Sequence, residues 1–326
     1  MTAFHRHGRQ PPRRSTPGRE HRPVLLQQVL QALDPHPGET AVDCTLGFAG
    51  HAVPILQRLG PSGKLIGLDW DGDNLPRARD LLTATGLPFA LHASNFAALP
   101  TILAAEAPQG ADVVLADLGM SSMQVDDPER GFSYVRDGPL DMRMDRSRGR
   151  TAADLLAVIA EADLAQALRE LGDEPDAERI AAALVAARAR QPLRRTAELS
   201  RVIAEVVGKP ATRAAGWRLR PGRGQWETHP AARTFQALRL LVNRELDNLR
   251  QLLRVLPQCL RPGGRAAIIS FHSGEDRLVK AAFREGLRAD VYREVAAEPL
   301  RAAGPEKLAN PRSRSAKLRW ALREMG

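Results

Sequence analysis

Three aspartates, Asp43, Asp69 and Asp117, each close a short apolar run, where an acid can hold or activate a ligand. In Ala41-Val42-Asp43-Cys44-Thr45-Leu46-Gly47-Phe48-Ala49-Gly50-His51 a strand-like run passes through a turn with two glycines into a helix-like run. Glycine lets a backbone approach a bound nucleotide closely, and a helix N-terminus offers unpaired N–H groups. The spacing falls short of the GxGxxG that cradles a pyrophosphate in a dehydrogenase. An acid at the strand end with loosely spaced glycines suits S-adenosylmethionine, which has no phosphate to hold. His51 is a candidate cofactor contact through its backbone N–H, with a helix-capping histidine as the alternative.

Asp69 follows Gly47 by 22 residues, the place from which a carboxylate accepts both hydroxyls of a ribose. Of Asp71 and Asp73 just beyond it, one is expected to cap the next helix. Phe96, in Ser94-Asn95-Phe96 after the third apolar run, can lie against an adenine ring or pack in the core. Asp117 sits in Ala116-Asp117-Leu118-Gly119-Met120-Ser121-Ser122, with Gln124 close behind. An acid there faces the crevice between cofactor and substrate. The lone pair of an exocyclic base amine is delocalised, and a carboxylate that accepts from its N–H makes the nitrogen more available. The alternative is that Asp117 only holds its loop through backbone N–H groups.

These residues need a parallel sheet to bring them together. Thr40 to Leu46, Lys64 to Trp70, Pro88 to Ala93 and Ala111 to Leu118 read as buried strands separated by segments of helix length such as Asp73 to Thr85. Residues 119 to 150, rich in Gly, Asp, Arg and Met, read as a long functional loop. Helical runs follow at Ala152 to Leu171, Asp176 to Arg190 and Ala197 to Val207. One long amphipathic helix is expected from Ala231, carrying Phe235, Leu238, Val242, Leu246, Leu249, Leu253 and Leu256, and ending at the turn Arg261-Pro262-Gly263-Gly264. A strand at Arg265 to Phe271, a helix from Gly274 to Phe283 and a basic strand around Ser315 to Leu322 complete the pattern. The fold class is therefore α/β, a Rossmann-like sheet domain interrupted by an all-helical insertion of about 100 residues. The sheet domain is assigned to 21–124 and 230–326 and the insertion, for substrate recognition, to 125–229. An exposed Arg/Gly-rich linker occupies 208–229 and a disordered basic arm 1–20.

The 326 residues carry 47 Lys and Arg against 38 Asp and Glu, a formal charge of +9 that suits a polyanionic partner. Cys44 and Cys259 belong to no CxxC pattern, so neither a disulfide framework nor a metal site is expected, and a reducing cytoplasm fits. No apolar run reaches the roughly 18 residues of a membrane helix, so a soluble protein without a membrane partner is expected.

Six linear stretches carry a resemblance. They are Asp117 to Ser122, Arg130-Gly131-Phe132-Ser133, Asp137-Gly138-Pro139-Leu140-Asp141-Met142-Arg143-Met144-Asp145, Thr234-Phe235-Gln236-Ala237-Leu238-Arg239, Ser270-Phe271-His272-Ser273 and Asn310-Pro311-Arg312-Ser313-Arg314-Ser315-Ala316-Lys317-Leu318-Arg319. In this order the chain resembles the ribosomal RNA small subunit methyltransferase H family, from His21 nearly to its end. The resemblance implies class I methyltransferase architecture and methylation of N4 of a cytosine in 16S ribosomal RNA near the decoding centre, in the bacterial cytoplasm. It implies a cofactor site at Ala49-Gly50-His51, Asp69, Phe96, Asp117 and Gln124. Ala49 stands where the family has Gly, tolerable if its φ is negative, and Gly274 stands where Leu is usual.

Other roles are assigned from residue type. His272 is a candidate for reaching the target base or for a structural hydrogen bond. Asp141, Arg143 and Asp145 order the long loop around substrate or form a solvated cluster. Arg312, Arg314, Lys317 and Arg319 are candidates for neutralising RNA phosphates. Direct attack on the methyl sulfonium, without a covalent enzyme intermediate, is expected of an amine nucleophile, with neither cysteine suitably placed. Two alternatives stand beside this reading, a nicotinamide-dependent oxidoreductase and a ribosome-assembly factor with a decayed methyltransferase site. The oligomeric state is open, a homodimer among the options.

Overall fold

Aliphatic runs at β1 (Thr40–Asp43), β2 (Lys64–Asp69), β3 (Phe89–Ala93) and β4 (Ala111–Asp117) pair in parallel in a computed structural model that describes residues 22–208 and 229–326. With β5 (Leu260–Ser270), β6 (Tyr292–Val295) and β7 (Lys317–Arg323) they form one seven-stranded sheet of order β3-β2-β1-β4-β5-β7-β6. β5 runs parallel to β4, whereas β7 is antiparallel to both β5 and β6. The parallel strands thus end on one edge, which carries Asp43, Asp69, Asp117 and Ser270.

Alternation along the strands loads both faces of the sheet. Val42, Val114 and Ile268 pack under α4 (Leu99–Glu106), α11 (Glu245–Cys259) and α12 (Ser273–Arg288) through residues such as Leu103, Leu252, Leu256 and Phe283. Ala41, Val113, Leu115 and Ile269 pack under α1 (Leu26–Leu33), α2 (Ala52–Leu59) and α3 (Leu75–Thr83). A third core lies apart from the sheet. It joins Phe132, Leu140 and Met142 of the long loop to α6 (Ala152–Val158), α7 (Glu161–Gly172), α8 (Ala177–Arg190), α9 (Thr196–Val207) and α10 (Ala232–Asn243). The helical assembly therefore extends past residue 229 to include α10.

Two helices expected to be continuous are broken. The run from Ala152 parts at Ile159 and Ala160, both extended, between α6 and α7. The long helix from Ala231 is instead α10 and α11, separated by Arg244 at φ 49°. The Asn243 side chain donates to the Met142 carbonyl at 2.7 Å and accepts from the Met144 N–H at 2.8 Å, so contacts to the long loop override the unbroken apolar period. The Arg261 to Gly264 turn lies inside β5, where the pairing with β4 shifts register between Ala111 and Val113. The basic arm lies outside the described residues, as does all of the 208–229 linker but its ends, Gly208 and His229. No helix among the described residues is long and apolar enough to cross a membrane.

Candidate active site

The carboxyl ends of β1, β2 and β4 open on a cleft of about 1110 Å³, the kind of edge on which α/β sheets place ligands. Gly50, His51, Asp69, Phe96, Asp117 and Gln124 all line it. Ala49 does not; it is buried at φ 60°, so the condition of a negative φ is not met. A left-handed alanine costs about 1–2 kcal/mol, a cost that glycine does not carry.

Asp69 holds the turn against the end of β2. Its Oδ2 accepts from the Gly47 N–H at 2.7 Å, and its Oδ1 accepts from the Asp71 N–H at 2.8 Å and from Asn74 Nδ2 at 3.2 Å. Burial pushes its carboxyl up to about 6 against the pull of these donors. Asp71 caps the short turn Gly72–Asn74 by accepting from the Asp73 N–H. It also takes a 2.8 Å ion pair from Arg130 and a 2.7 Å hydrogen bond from Gln124 Nε2. Gln124 lies in α5 (Ser122–Asp126) and exchanges bonds with Ser121 in a capping box. Phe96 packs on the core and also lines the cleft.

At the floor, the Asp117 N–H donates to Thr45 Oγ1 at 2.6 Å, which fixes the end of β4 to the first turn. Its Oδ2 lies 3.6 Å from His51 Nδ1, and its buried Oδ1 has no hydrogen-bond partner among the described residues. Burial raises this carboxyl to about 7; Arg312 opposes that and Glu275 adds to it. Asp43, behind it, is pushed to about 6 by burial. Trp70, also on the cleft wall, has a buried Nε1 with no hydrogen-bond partner among the described residues.

The candidates at the far end of the chain separate. Arg312 lines the cleft and donates to the Met120 carbonyl instead of facing outward. Arg319 is buried on β7 and, with Lys317, pairs with Asp276 at 2.7 and 3.0 Å, because mid-sheet antiparallel pairing turns both against α12. Both cations are thus engaged with an acid inside the fold. Arg314 is exposed, with its Nε donating to the Lys307 carbonyl. His272 does not line the cleft; it caps α12, its Nδ1 accepting from the Glu275 N–H at 3.4 Å and its Nε2 3.2 Å from Glu275 Oε1. A Cβ on Gly274 would come within 3.2 Å of that ring, so its glycine leaves room for the cap. Asp141 and Arg143 form a bidentate pair at 2.7 and 2.9 Å within the long loop.

Several lining residues went unmarked in the sequence. Glu245 and Glu275 face the cleft from the first turns of α11 and α12; Glu245 is held by Arg239 at 2.8 Å, across the helix break. The stretch Arg130 to Ser133 was a signal without an assigned role, and its arginine is the Asp71 partner. Cys44, expected to lie away from the chemistry, lines the cleft, but burial pushes its thiol well up, so it stays protonated and unreactive.

Five acidic and four aromatic side chains lining one cleft suit an adenosyl group bearing positive charge. Comparison with known proteins agrees. The model of the MraW methylase family matches residues 18–324. Proteins called "Ribosomal RNA small subunit methyltransferase H" are 43% identical in Symbiobacterium thermophilum over 93% of this chain and 96% of that one, and 46% identical in Halorhodospira halophila over 93% and 94%. The Geobacter sp. protein of that name is 44% identical over 92% of this chain and 97% of its own. With a match that spans the sheet, the helical insertion and every residue of the cleft, the chain belongs to the MraW methylase family.

Proposed function

We propose that this chain transfers a methyl group from S-adenosylmethionine to N4 of a cytosine in 16S ribosomal RNA, near the decoding centre, in the bacterial cytoplasm. The observation that carries the reading is Asp117, a carboxylate at the cleft floor with one buried oxygen unpartnered among the described residues and its other oxygen facing a histidine. The relatives' shared name supports the ribosomal substrate. It gives no support to an oxidoreductase, and the presence of Asp69, Asp117 and Gln124 on one cleft argues against a decayed site.

Bound in this cleft, S-adenosylmethionine supplies an electrophilic methyl group on a sulfonium. Asp69 would accept the ribose hydroxyls, Phe96 would hold the adenine, and Gly50 and His51 would offer backbone N–H groups at the start of α2. Asp117 accepts a hydrogen bond from the exocyclic amine, keeps its lone pair aimed at the methyl carbon and favours the positive charge that develops on nitrogen. Arg312 beside Asp117 keeps enough of that carboxylate ionised near neutrality. The helical assembly beside the cleft, with the long loop that it anchors, is the part that recognises RNA.

Incubation with methyl-labelled cofactor and small ribosomal subunits lacking the modification, followed by nucleoside mass spectrometry, tests the reading. Label in N4-methylcytidine at one site is expected. Label in 5-methylcytidine, or none, would overturn it.

A further inference from the structure

His51 is buried, and its Nε2 lies 2.8 Å from the Val24 carbonyl. A carbonyl only accepts, so Nε2 carries a hydrogen. Val24 is itself fixed, because the next residue, Leu25, donates its N–H to Glu306 at 2.8 Å. Burial depresses the imidazole, which is therefore neutral near pH 7 and leaves Nδ1 without a hydrogen. That bare nitrogen faces Asp117 Oδ2 at 3.6 Å. Two lone-pair atoms opposed at this range repel unless a proton lies between them, so the pair is a built acceptor for one proton.

We infer that His51 is the positioning residue for Asp117, and through Nδ1 steadies on it the proton that the methylated amine gives up. The inference rests on the proposed function. As the amine lone pair forms the N–C bond, the C–S bond breaks with its electrons going to sulfur. The positive charge left on nitrogen is shed as a proton to Asp117, whose Oδ2 shares it with His51 Nδ1, while the imidazole keeps its Nε2–H on the Val24 carbonyl. Charged groups around the pair favour this. Asp43 on β1 and Glu306 on α13 (Gly304–Ala309) stabilise a cationic His51, while Arg312 and Glu275 act on Asp117 in opposite directions.

The test has two arms. In the full ligand-free chain labelled with 15N-histidine, with the His51 signals assigned from His51→Gln, the expected tautomer is Nε2–H. Nδ1 should then shift with pH as Asp117 titrates, and that shift should vanish in Asp117→Asn. An Nδ1–H tautomer, or an unchanged titration in Asp117→Asn, would overturn the inference. In single-turnover methyl transfer, His51→Gln keeps a donor for the Val24 carbonyl but removes the Nδ1 acceptor. A fall of at least about tenfold near pH 7, recovering as pH rises, is expected; a wild-type rate and profile would contradict the inference. The nitrogen spectra decide on the pair without RNA, so a wild-type protein that methylates no RNA counts against the proposed function instead.

Discussion

Arg130 and Asp71 form an ion pair 2.8 Å apart in which each side chain is only 5% exposed, and it ties the long loop to the end of β2. Arg130 also donates to the Met144 carbonyl at 2.8 Å, and Gln124 completes the shell of Asp71. Breaking one side strands a buried charge, which typically costs about 3–5 kcal/mol, whereas removing both costs less. Arg130→Met and Asp71→Asn should each destabilise on that scale in urea unfolding, with the double variant well short of the sum. An additive cycle would mean that the two residues do not act as a pair.

Arg319 and Lys317 hold Asp276 below its ordinary value against the upward push of burial. Arg319→Met should therefore cost on the order of 2 kcal/mol of stability, the loss of one charged hydrogen bond from an Asp276 that keeps Lys317. It should leave unchanged the slope of RNA affinity against salt, which counts phosphates neutralised. A flatter slope in this variant, with stability intact, would restore Arg319 as an RNA contact.

The buried acids set a pH dependence of stability. Burial raises Asp43 and Asp69 to about 6 and Asp117 to about 7, while the unfolded chain titrates near 4. The folded state thus binds these protons more tightly. Their contribution is full below about pH 4 and is lost as pH rises through 6 and 7. Neutral buried His51, and Glu275 and Asp276 held below their ordinary values, slope the other way. Asp117→Asn removes the upper part of the loss, so its stability relative to wild type should grow between about pH 5 and 8, on the order of 2 kcal/mol. Thermal unfolding of both ligand-free proteins across that range reads it; a constant gap would mean that Asp117 is not shifted.

Asp69 has two tasks, holding Gly47 and Asp71 and facing the cofactor. Asp69→Asn keeps an acceptor but loses the charge. Cofactor affinity by calorimetry should fall by about 1.5–3 kcal/mol, the scale of a charged hydrogen bond. Unchanged affinity would leave Asp69 as a fixture of the turn alone.

Much of this was legible because it is local. The aliphatic runs ending in Asp43, Asp69 and Asp117 are strands with those acids on one edge, and six of the seven expected cofactor residues share the cleft. What was hidden depends on distant partners. The break at Arg244 follows from Asn243 bonding Met142 and Met144, about 100 residues earlier, with no Gly or Pro to mark it. β6 is short and polar, and its edge position does not register in an apolar pattern. Arg319 reads as a phosphate ligand until the antiparallel place of β7 sets it against Asp276, and Ala49 gives no sign of its positive φ.

Single-turnover methyl transfer by Asp117→Asn, with cofactor and small subunits both saturating, tests most directly whether this carboxylate activates the amine. The variant keeps the side chain's size and one acceptor oxygen but not the charge. The account expects transfer slower by on the order of 100-fold, about 3 kcal/mol in the barrier, with a smaller change in the separately measured affinities. Transfer at the wild-type rate once both ligands saturate would contradict it and leave Asp117 as a ligand-holding residue only.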